Sequence, residues 1–136
     1  LNDTDRQKIY NDWSRLIELK TNEAVFDGDY EIIPYANDAR PRIYITNDAL
    51  SAAELKDVVI LCNFSPVELT VNGNFPYTGT WYDLMDLSGG TNINVTDVNA
   101  TISIPAGQFR IFGNAQASLS TDDNILNDAI SINICL

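Results

Sequence analysis

The chain has 136 residues, an apolar fraction of 45% and a formal net charge of −11. One folded domain is typical of this length and composition, and the acidic charge argues against nucleic acid or an anionic membrane as a partner, because phosphate contacts require clustered Lys and Arg. Histidine is absent, which excludes Ser-His-Asp and Cys-His catalysis and histidine-ligated metal sites within this sequence. No apolar run reaches the ~18 residues of a membrane span.

The first predicted element is an amphipathic helix from Asp3 to Thr21, which Asp3 or Thr4 can cap. Four apolar residues recur at helical spacing and define a single face, the α1 stripe: Ile9, Trp13, Leu16 and Ile17. We assign Arg15 and the other charged residues to the polar sides of this helix. An apolar face with a Trp predicts packing against a large surface.

Short strands with frequent turn signals follow the helix, about eight of them between residues 30 and 112. The run Val58 to Cys62 is apolar throughout, which is typical of a central strand buried on both faces. No helical period lies between the strands, so the pattern favours an antiparallel sandwich or small barrel over βαβ units. We predict an all-β fold, an antiparallel β-sandwich of Greek-key type with one N-terminal α-helix. The expected core includes Val59, Leu61, Ile102, Ile104, Phe109 and Ile111.

Residues 79–114 are predicted to form three strands and two turns. Apolar residues alternate with polar ones through the middle arm, which places the polar ones on the solvent face. Those polar residues are Asn92, Asn94, Thr96, Thr101 and Ser103. Pro105-Ala106-Gly107 supplies the turn before the last arm.

The end of the chain changes character after residue 114. Residues 115–124 are small and polar, like a linker, and residues 130–134 alternate as a further candidate strand. Cys62 lies inside the apolar run, and we interpret it as a small core residue. Whether it meets Cys135 is left open by the sequence.

Three segments in a fixed order carry a family resemblance: Leu16–Gly28 (LIELKTNEAVFDG), Val58–Ser65 (VVILCNFS) and Gly79–Phe112, with its Gly-Thr-Trp and Pro-Ala-Gly-Gln-Phe-Arg-Ile runs. Together they resemble the end of an alpha-amylase family glycoside hydrolase over residues 5–113. The resemblance implies that residues 1–22 are the last helix of a missing (β/α)8 barrel. It also implies that residues 23–114 are the β-sandwich called domain C. From their composition, we assign residues 115–136 to a linker and C-terminal tail.

The same resemblance implies a non-catalytic domain of an α-glucan hydrolase, because the family's catalytic Asp nucleophile, Glu acid/base and supporting Asp lie upstream of these segments. Its expected partner is the catalytic barrel of the parent chain, which the α1 stripe would face. Without the barrel, we expect the stripe to fold onto the sandwich or to pair two copies of the chain through Ile9, Trp13, Leu16 and Ile17. Residues 119–124 resemble the entry to a bacterial type IX secretion sorting domain, which implies a secreted or cell-surface protein.

Acidic clusters are the other candidates for chemistry, because a glycosidase needs a proton donor and an ionised carboxylate facing each other. Two clusters occur, one of Asp27, Asp29 and Glu31 and one of Asp83 and Asp86. Both lie at turns or strand ends, where Asp serves the backbone, so we predict no catalytic residue. Asp122-Asp123-Asn124 lacks the Gly and the distal Glu of a calcium loop. No metal site or cofactor is predicted.

Aromatic residues allow an alternative function, a module that binds starch. Tyr77, Trp81 and Tyr82 could form a platform for a pyranose ring, because an aromatic face matches the apolar face of a sugar. Alternation places Trp81 and Tyr82 on opposite faces of their strand. We favour a buried Trp81 with Tyr77 and Tyr82 exposed, and two exposed coplanar rings would distinguish the starch-binding alternative.

Overall fold

The fold is taken from a computed structural model that describes residues 3–33 and 40–118. Several predictions concern the tail and lie outside the described residues. They are the candidate strand at 130–134, the secretion-domain resemblance, the acidic group Asp122-Asp123-Asn124 and the pairing of Cys135.

Helix α1 (Asp3–Asn22) has the predicted position and length to within one residue. Asp3 and Asp5 lie in its first turn and Lys20 in its last, which suits the helix dipole. A 3-10 turn, Ala24–Asp27, follows directly and leads the chain into the first strand. No helix in the described ranges is long and apolar enough to cross a membrane.

Eight antiparallel strands form two sheets, as the sequence predicted. They are β1 (Asp29–Ile33), β2 (Arg42–Thr46), β3 (Asp57–Cys62), β4 (Leu69–Asn72), β5 (Gly79–Asp83), β6 (Asn92–Val95), β7 (Thr101–Ile104) and β8 (Phe109–Gly113). The large sheet has the order β1-β2-β3-β8-β5-β6, and the small sheet pairs β4 with β7. β3 lies inside the large sheet and is buried along nearly all its length, which confirms its predicted central position. β8 returns to pair with β5, the step that characterises a Greek key.

Residues 79–114 form four strands, β5 to β8, and not the three that were predicted. β6 pairs with β5 in the large sheet, whereas β7 pairs with β4 in the small sheet. A turn separates them, because Asp97 accepts hydrogen bonds from the Ala100 amide at its carbonyl and from the Asn99 amide at its side chain, both at 2.9 Å. The apolar residues stand at odd positions before this turn (Ile93 and Val95) and at even positions after it (Ile102 and Ile104). This change of phase indicates a break between two strands, but it does not show which sheet the second strand joins. The five polar residues named above are all exposed, as predicted.

Apolar side chains form two clusters, one on each face of the large sheet. The inner cluster lies between the two sheets and includes Val59, Leu61, Val71, Phe75, Trp81, Ile104 and Phe112. The helix-side cluster lies beneath α1 and includes Leu19, Val25, Leu55, Val58, Leu84 and Ile111. Ile102 and Phe109 are only partly buried, because they pack against the margins of these clusters. Cys62 is buried, as expected of a small core residue.

Helix α1 packs on the sheet through a face other than the predicted stripe. Leu19 and Arg15 are buried there, and Leu16 is partly buried. The assignment of Arg15 to the polar side was therefore wrong. Its aliphatic stem is covered while Nε donates to the Leu84 carbonyl at 2.8 Å and Nη1 to Glu18 Oε2 at 2.8 Å. The remaining residues of the α1 stripe are exposed: Ile9 (47%), Trp13 (64%) and Ile17 (60%).

Candidate functional site

A surface cavity of about 220 Å³ lies where α1, the end of β5 and the segment after β8 come together. Its lining includes Arg15 from α1, Tyr82 and Asp83 from β5, Asp86 from the following turn and Gln116 from the segment after β8. This cavity, called the β5-end cavity below, brings together one predicted acidic cluster and one predicted aromatic residue. We take it as the candidate functional site.

The carboxylates of the cavity support the turn that follows β5. Asp86 accepts hydrogen bonds from the Ser88 amide, the Ser88 hydroxyl and the Thr91 amide at 2.7–2.9 Å. Bonds from the side chains and backbone of Thr91 and Ser88 hold the pKa of Asp86 well below its usual range. Asp83 Oδ1 accepts from the Met85 amide at 2.9 Å. An acid held ionised in this way is poorly suited to donate a proton at neutral pH.

The other acidic cluster lies away from the cavity. Asp27 closes the 3-10 turn and forms an exposed ion pair with Lys20 at 3.5 Å. Asp29 and Glu31 are exposed on β1, which is an edge strand of the large sheet. The fold therefore does not place these acids across a cleft from Asp83 and Asp86.

The three candidate sugar-binding aromatics are separated by the fold. Trp81 is completely buried in the inner cluster, as the favoured interpretation required, so its ring offers no face to a ligand. Tyr77 is 43% exposed, and its ring contacts Trp81 with centroids 5.2 Å apart and planes inclined by 36°. Tyr82 is partly buried rather than exposed and lines the β5-end cavity. The three residues thus do not form two exposed coplanar rings.

A buried acid at the start of β3 was not singled out from the sequence. Asp57 is 5% exposed and accepts hydrogen bonds from the hydroxyls of Tyr44 at 2.8 Å and Tyr77 at 2.7 Å. Burial alone would raise the pKa of Asp57, but the bonds from Tyr77, Thr46 and Tyr44 outweigh it and lower that pKa. Burial and the same bonds raise the pKa values of both tyrosines. The sequence did carry a signal for this group, because Asp57 directly precedes the apolar run of β3. An acid at such a position is expected to be buried, and a buried charge requires hydrogen-bond partners.

The Asp57 group ties several elements together and has the character of a structural network. Asn114 Oδ1 accepts from the amides of Lys56 and Asp57 at 2.9 Å, and Asn114 Nδ2 donates to the Glu54 carbonyl at 2.9 Å. Both carboxylate oxygens of Asp57 and the side-chain oxygen of Asn114 accept hydrogen bonds from protein groups. Within residues 3–33 and 40–118, no group of three or more Cys, Asp or Glu side chains is placed to hold a metal ion.

The class of protein defined by this fold is an all-β sandwich with an N-terminal helix packed on its large sheet. It is similar to part of a crystal structure of type I pullulanase from Bacillus subtilis strain 168 in complex with maltose, with a TM-score of 0.56 and 17% sequence identity. The match covers 87% of this chain and 16% of the pullulanase chain. At this identity the likeness establishes a shared fold. No protein-family model and no curated protein sequence matches the chain.

Proposed function

We propose that this chain is the non-catalytic C-terminal domain of an alpha-amylase-like α-glucan hydrolase, and that it covers and stabilises the catalytic barrel. The likeness of its fold to part of a pullulanase supports a glycoside hydrolase parent, as does the resemblance carried by residues 5–113. The chain corresponds to a small share of that enzyme, so the rest of a parent protein would supply the catalytic groups.

The observation that carries the proposal is the orientation of α1. One face of the helix packs on the sandwich: Arg15 donates a hydrogen bond to the Leu84 carbonyl, and Leu19 is buried in the helix-side cluster. The opposite side presents Ile9, Trp13 and Ile17 to solvent. A helix held in this way forms an apolar ridge that suits a second folded surface, because contiguous exposed apolar patches commonly become contacts.

The state of the carboxylates supports a non-catalytic role. Asp83 and Asp86 accept hydrogen bonds from the backbone of their own turn, and the pKa of Asp86 is lowered rather than raised. A glycosidase acid needs the opposite shift, so that it can protonate the leaving group. We expect the purified chain to release no reducing sugar from starch. Activity that Asp83→Asn or Asp27→Asn abolished would contradict the proposal.

Export of the parent protein is part of the proposal. The resemblance of residues 119–124 to the entry of a type IX secretion sorting domain favours a secreted or cell-surface bacterial enzyme. Appearance of the full-length protein in the culture medium of its source, and its loss from the medium when the sorting machinery is inactivated, is the corresponding test.

The barrel-packing role can be tested in the full-length protein with two matched substitutions. Ile17→Ser alters the α1 stripe, and Val67→Ser alters an aliphatic residue of nearly equal exposure on the sandwich (60% against 59%). Burying one such side chain contributes up to about 1.5–3 kcal/mol. We expect Ile17→Ser to lower the temperature at which α-glucan hydrolysis is lost by several degrees, and Val67→Ser to leave it unchanged. Equal effects of the two substitutions would refute the proposed contact.

A further inference from the structure

The outer side of β1 has no neighbouring strand among the described residues. β1 is an edge strand that pairs with β2 along one side, and its residues are exposed along almost the whole strand. Its large apolar side chains Tyr30 and Ile32 are 72% and 53% exposed. An unpaired edge of this kind is a template for a further strand. The fold therefore leaves one strand position open beside β1.

The two faces of β1 differ in chemistry. Tyr30 is aligned through β2 with Val58 of β3, and residues directly opposite one another share a face of the sheet. Val58 belongs to the helix-side cluster, so Tyr30 and Ile32 extend that apolar face to the edge of the sheet. Asp29 and Glu31 lie on the other face. A strand that fits the open position has apolar residues at alternate positions and hydrogen-bond donors between them.

Residues 130–134 of the C-terminal tail have this pattern. Three apolar residues alternate there with two neutral polar ones, in the order Ile130, Ser131, Ile132, Asn133 and Ile134. Neither Gly nor Pro occurs after residue 118, so every residue of this segment can donate its amide to a neighbouring strand. If the isoleucines cover the apolar face of β1, Ser131 and Asn133 lie on the face of the two acids, to which a hydroxyl and an amide can donate.

The described part of the chain ends close enough for this segment to reach β1. The end of β8, the start of β3, the end of β2 and the start of β1 lie at one end of the large sheet. Ser118 donates from its amide to Glu23 Oε1 at 2.6 Å, and Glu23 directly precedes the 3-10 turn that leads into β1. A strand outside β1 would lie about four strand spacings, or ~19 Å, from β8. Residues 119–129 can span ~36 Å, which exceeds this distance.

Charge and exposure favour the tail over a second copy of the chain, and β1 over the opposite edge. Antiparallel pairing of β1 with β1 of a second copy along its full length sets Glu31 opposite Glu31, and like charges directly opposite are destabilising. Residues 130–134 carry no charge and avoid this repulsion. The other edge strand of the large sheet, β6, has its apolar residues Ile93 and Val95 partly or fully buried, so it offers the tail no exposed apolar surface.

We propose that residues 130–134 add to the outer side of β1 as a further strand of the large sheet. Their isoleucines cover Tyr30 and Ile32, and their backbone satisfies the amides and carbonyls of β1 that point away from β2. The paired residues belong neither to the α1 stripe nor to residues 119–124. The proposal therefore holds or fails independently of the proposed barrel contact and of export.

The test is amide hydrogen exchange, measured by NMR on the full 136-residue chain labelled with ¹⁵N. We expect the β1 amides that point away from β2 to be protected in the natural chain. Ile132→Pro removes a donor and disrupts a strand at this position. Those β1 amides should then exchange at least about fivefold faster, the effect of one lost hydrogen bond. In the natural chain, nuclear Overhauser effects should connect the Tyr30 ring with isoleucine methyl groups of the tail.

Two matched variants and an internal reference make the result specific. Ile132→Val keeps a β-branched apolar side chain and the amide donor, and should leave the exchange of β1 unchanged. Ser120→Pro introduces proline into the tail outside the paired segment, and should also leave it unchanged. The amides of β3 should exchange equally in all the variants, because β3 lies inside the sheet.

The proposal is overturned if the outward amides of β1 exchange equally fast in the natural chain and in Ile132→Pro, or if Ser120→Pro accelerates them as much as Ile132→Pro does. Protection that survives Ile132→Pro would also overturn it. In that case a second copy of the chain covers the edge if the protection falls on dilution, and another segment covers it if the protection does not.

Discussion

Replacing Asp57 by Asn should measurably destabilise the sandwich. The carboxylate is 5% exposed and accepts from two tyrosine hydroxyls, Tyr44 at 2.8 Å and Tyr77 at 2.7 Å. Hydrogen bonds to a charged group contribute about 1.5–3 kcal/mol each, against about 0.5–1.5 kcal/mol for neutral pairs. Asn keeps the shape and one acceptor but loses the charge. We therefore expect the free energy of unfolding to fall by about 2–3 kcal/mol at neutral pH.

The same substitution should change the pH dependence of stability. The pKa of Asp57 is lower in the folded chain than its ordinary value, so its ionised form stabilises the fold above the unfolded pKa of about 3.9. That contribution is lost as the pH falls through the lowered folded pKa. The gap in stability between the natural chain and Asp57→Asn should consequently narrow as the pH falls below about 4.

Urea denaturation followed by tryptophan fluorescence measures both effects, because Trp81 is buried beside Tyr77 and reports on unfolding. Tyr44→Phe and Tyr77→Phe each remove one hydrogen bond to Asp57 and should each have a smaller effect than Asp57→Asn. A loss below about 0.5 kcal/mol for Asp57→Asn, with the pH dependence unchanged, would show that this network does not stabilise the fold.

Three further predictions concern the core, a close backbone contact and self-association. Leu61→Ala should cost ~2–5 kcal/mol in chemical denaturation, because Leu61 is completely buried; a loss below about 0.5 kcal/mol would contradict its place in the inner cluster. Gly28→Ala should lower the free energy of unfolding by about 1–3 kcal/mol or more, because a Cβ there would lie 2.1 Å from the Thr46 carbonyl oxygen. Gly90→Ala should lower it much less, because only Ser88 Oγ, at 3.5 Å, lies near the added Cβ. Equal losses for the two substitutions would refute this prediction. Sedimentation should show the isolated chain pairing through the α1 stripe, and a monomer at every concentration, with Trp13→Ala changing neither mass nor stability, would exclude it.

The sequence predicted the kind and order of the elements because those depend on local periodicity. Apolar residues at helical spacing identified α1 to within one residue, and alternation with frequent turns indicated eight short strands. The unbroken apolar run of β3 predicted a central strand, since only a strand covered on both faces is apolar throughout. The position of Asp83 and Asp86 at a strand end and turn predicted that their carboxylates would accept hydrogen bonds from backbone amides, and they do.

The tertiary structure decided which residues meet, because contacts between distant segments leave no local periodicity. Apolar residues alternate with polar ones in both 92–95 and 101–104, a pattern that does not identify the neighbour of a strand. Only the pairing of β7 with β4 shows that the second of these segments lies in another sheet. The sequence predicts Arg15 on the surface, because it cannot show that the Leu84 carbonyl, 69 residues away, lies beside it as a buried hydrogen-bond acceptor. Tyr82 and Gln116 line one cavity because β8 returns beside β5 and carries the segment after it past the same strand end.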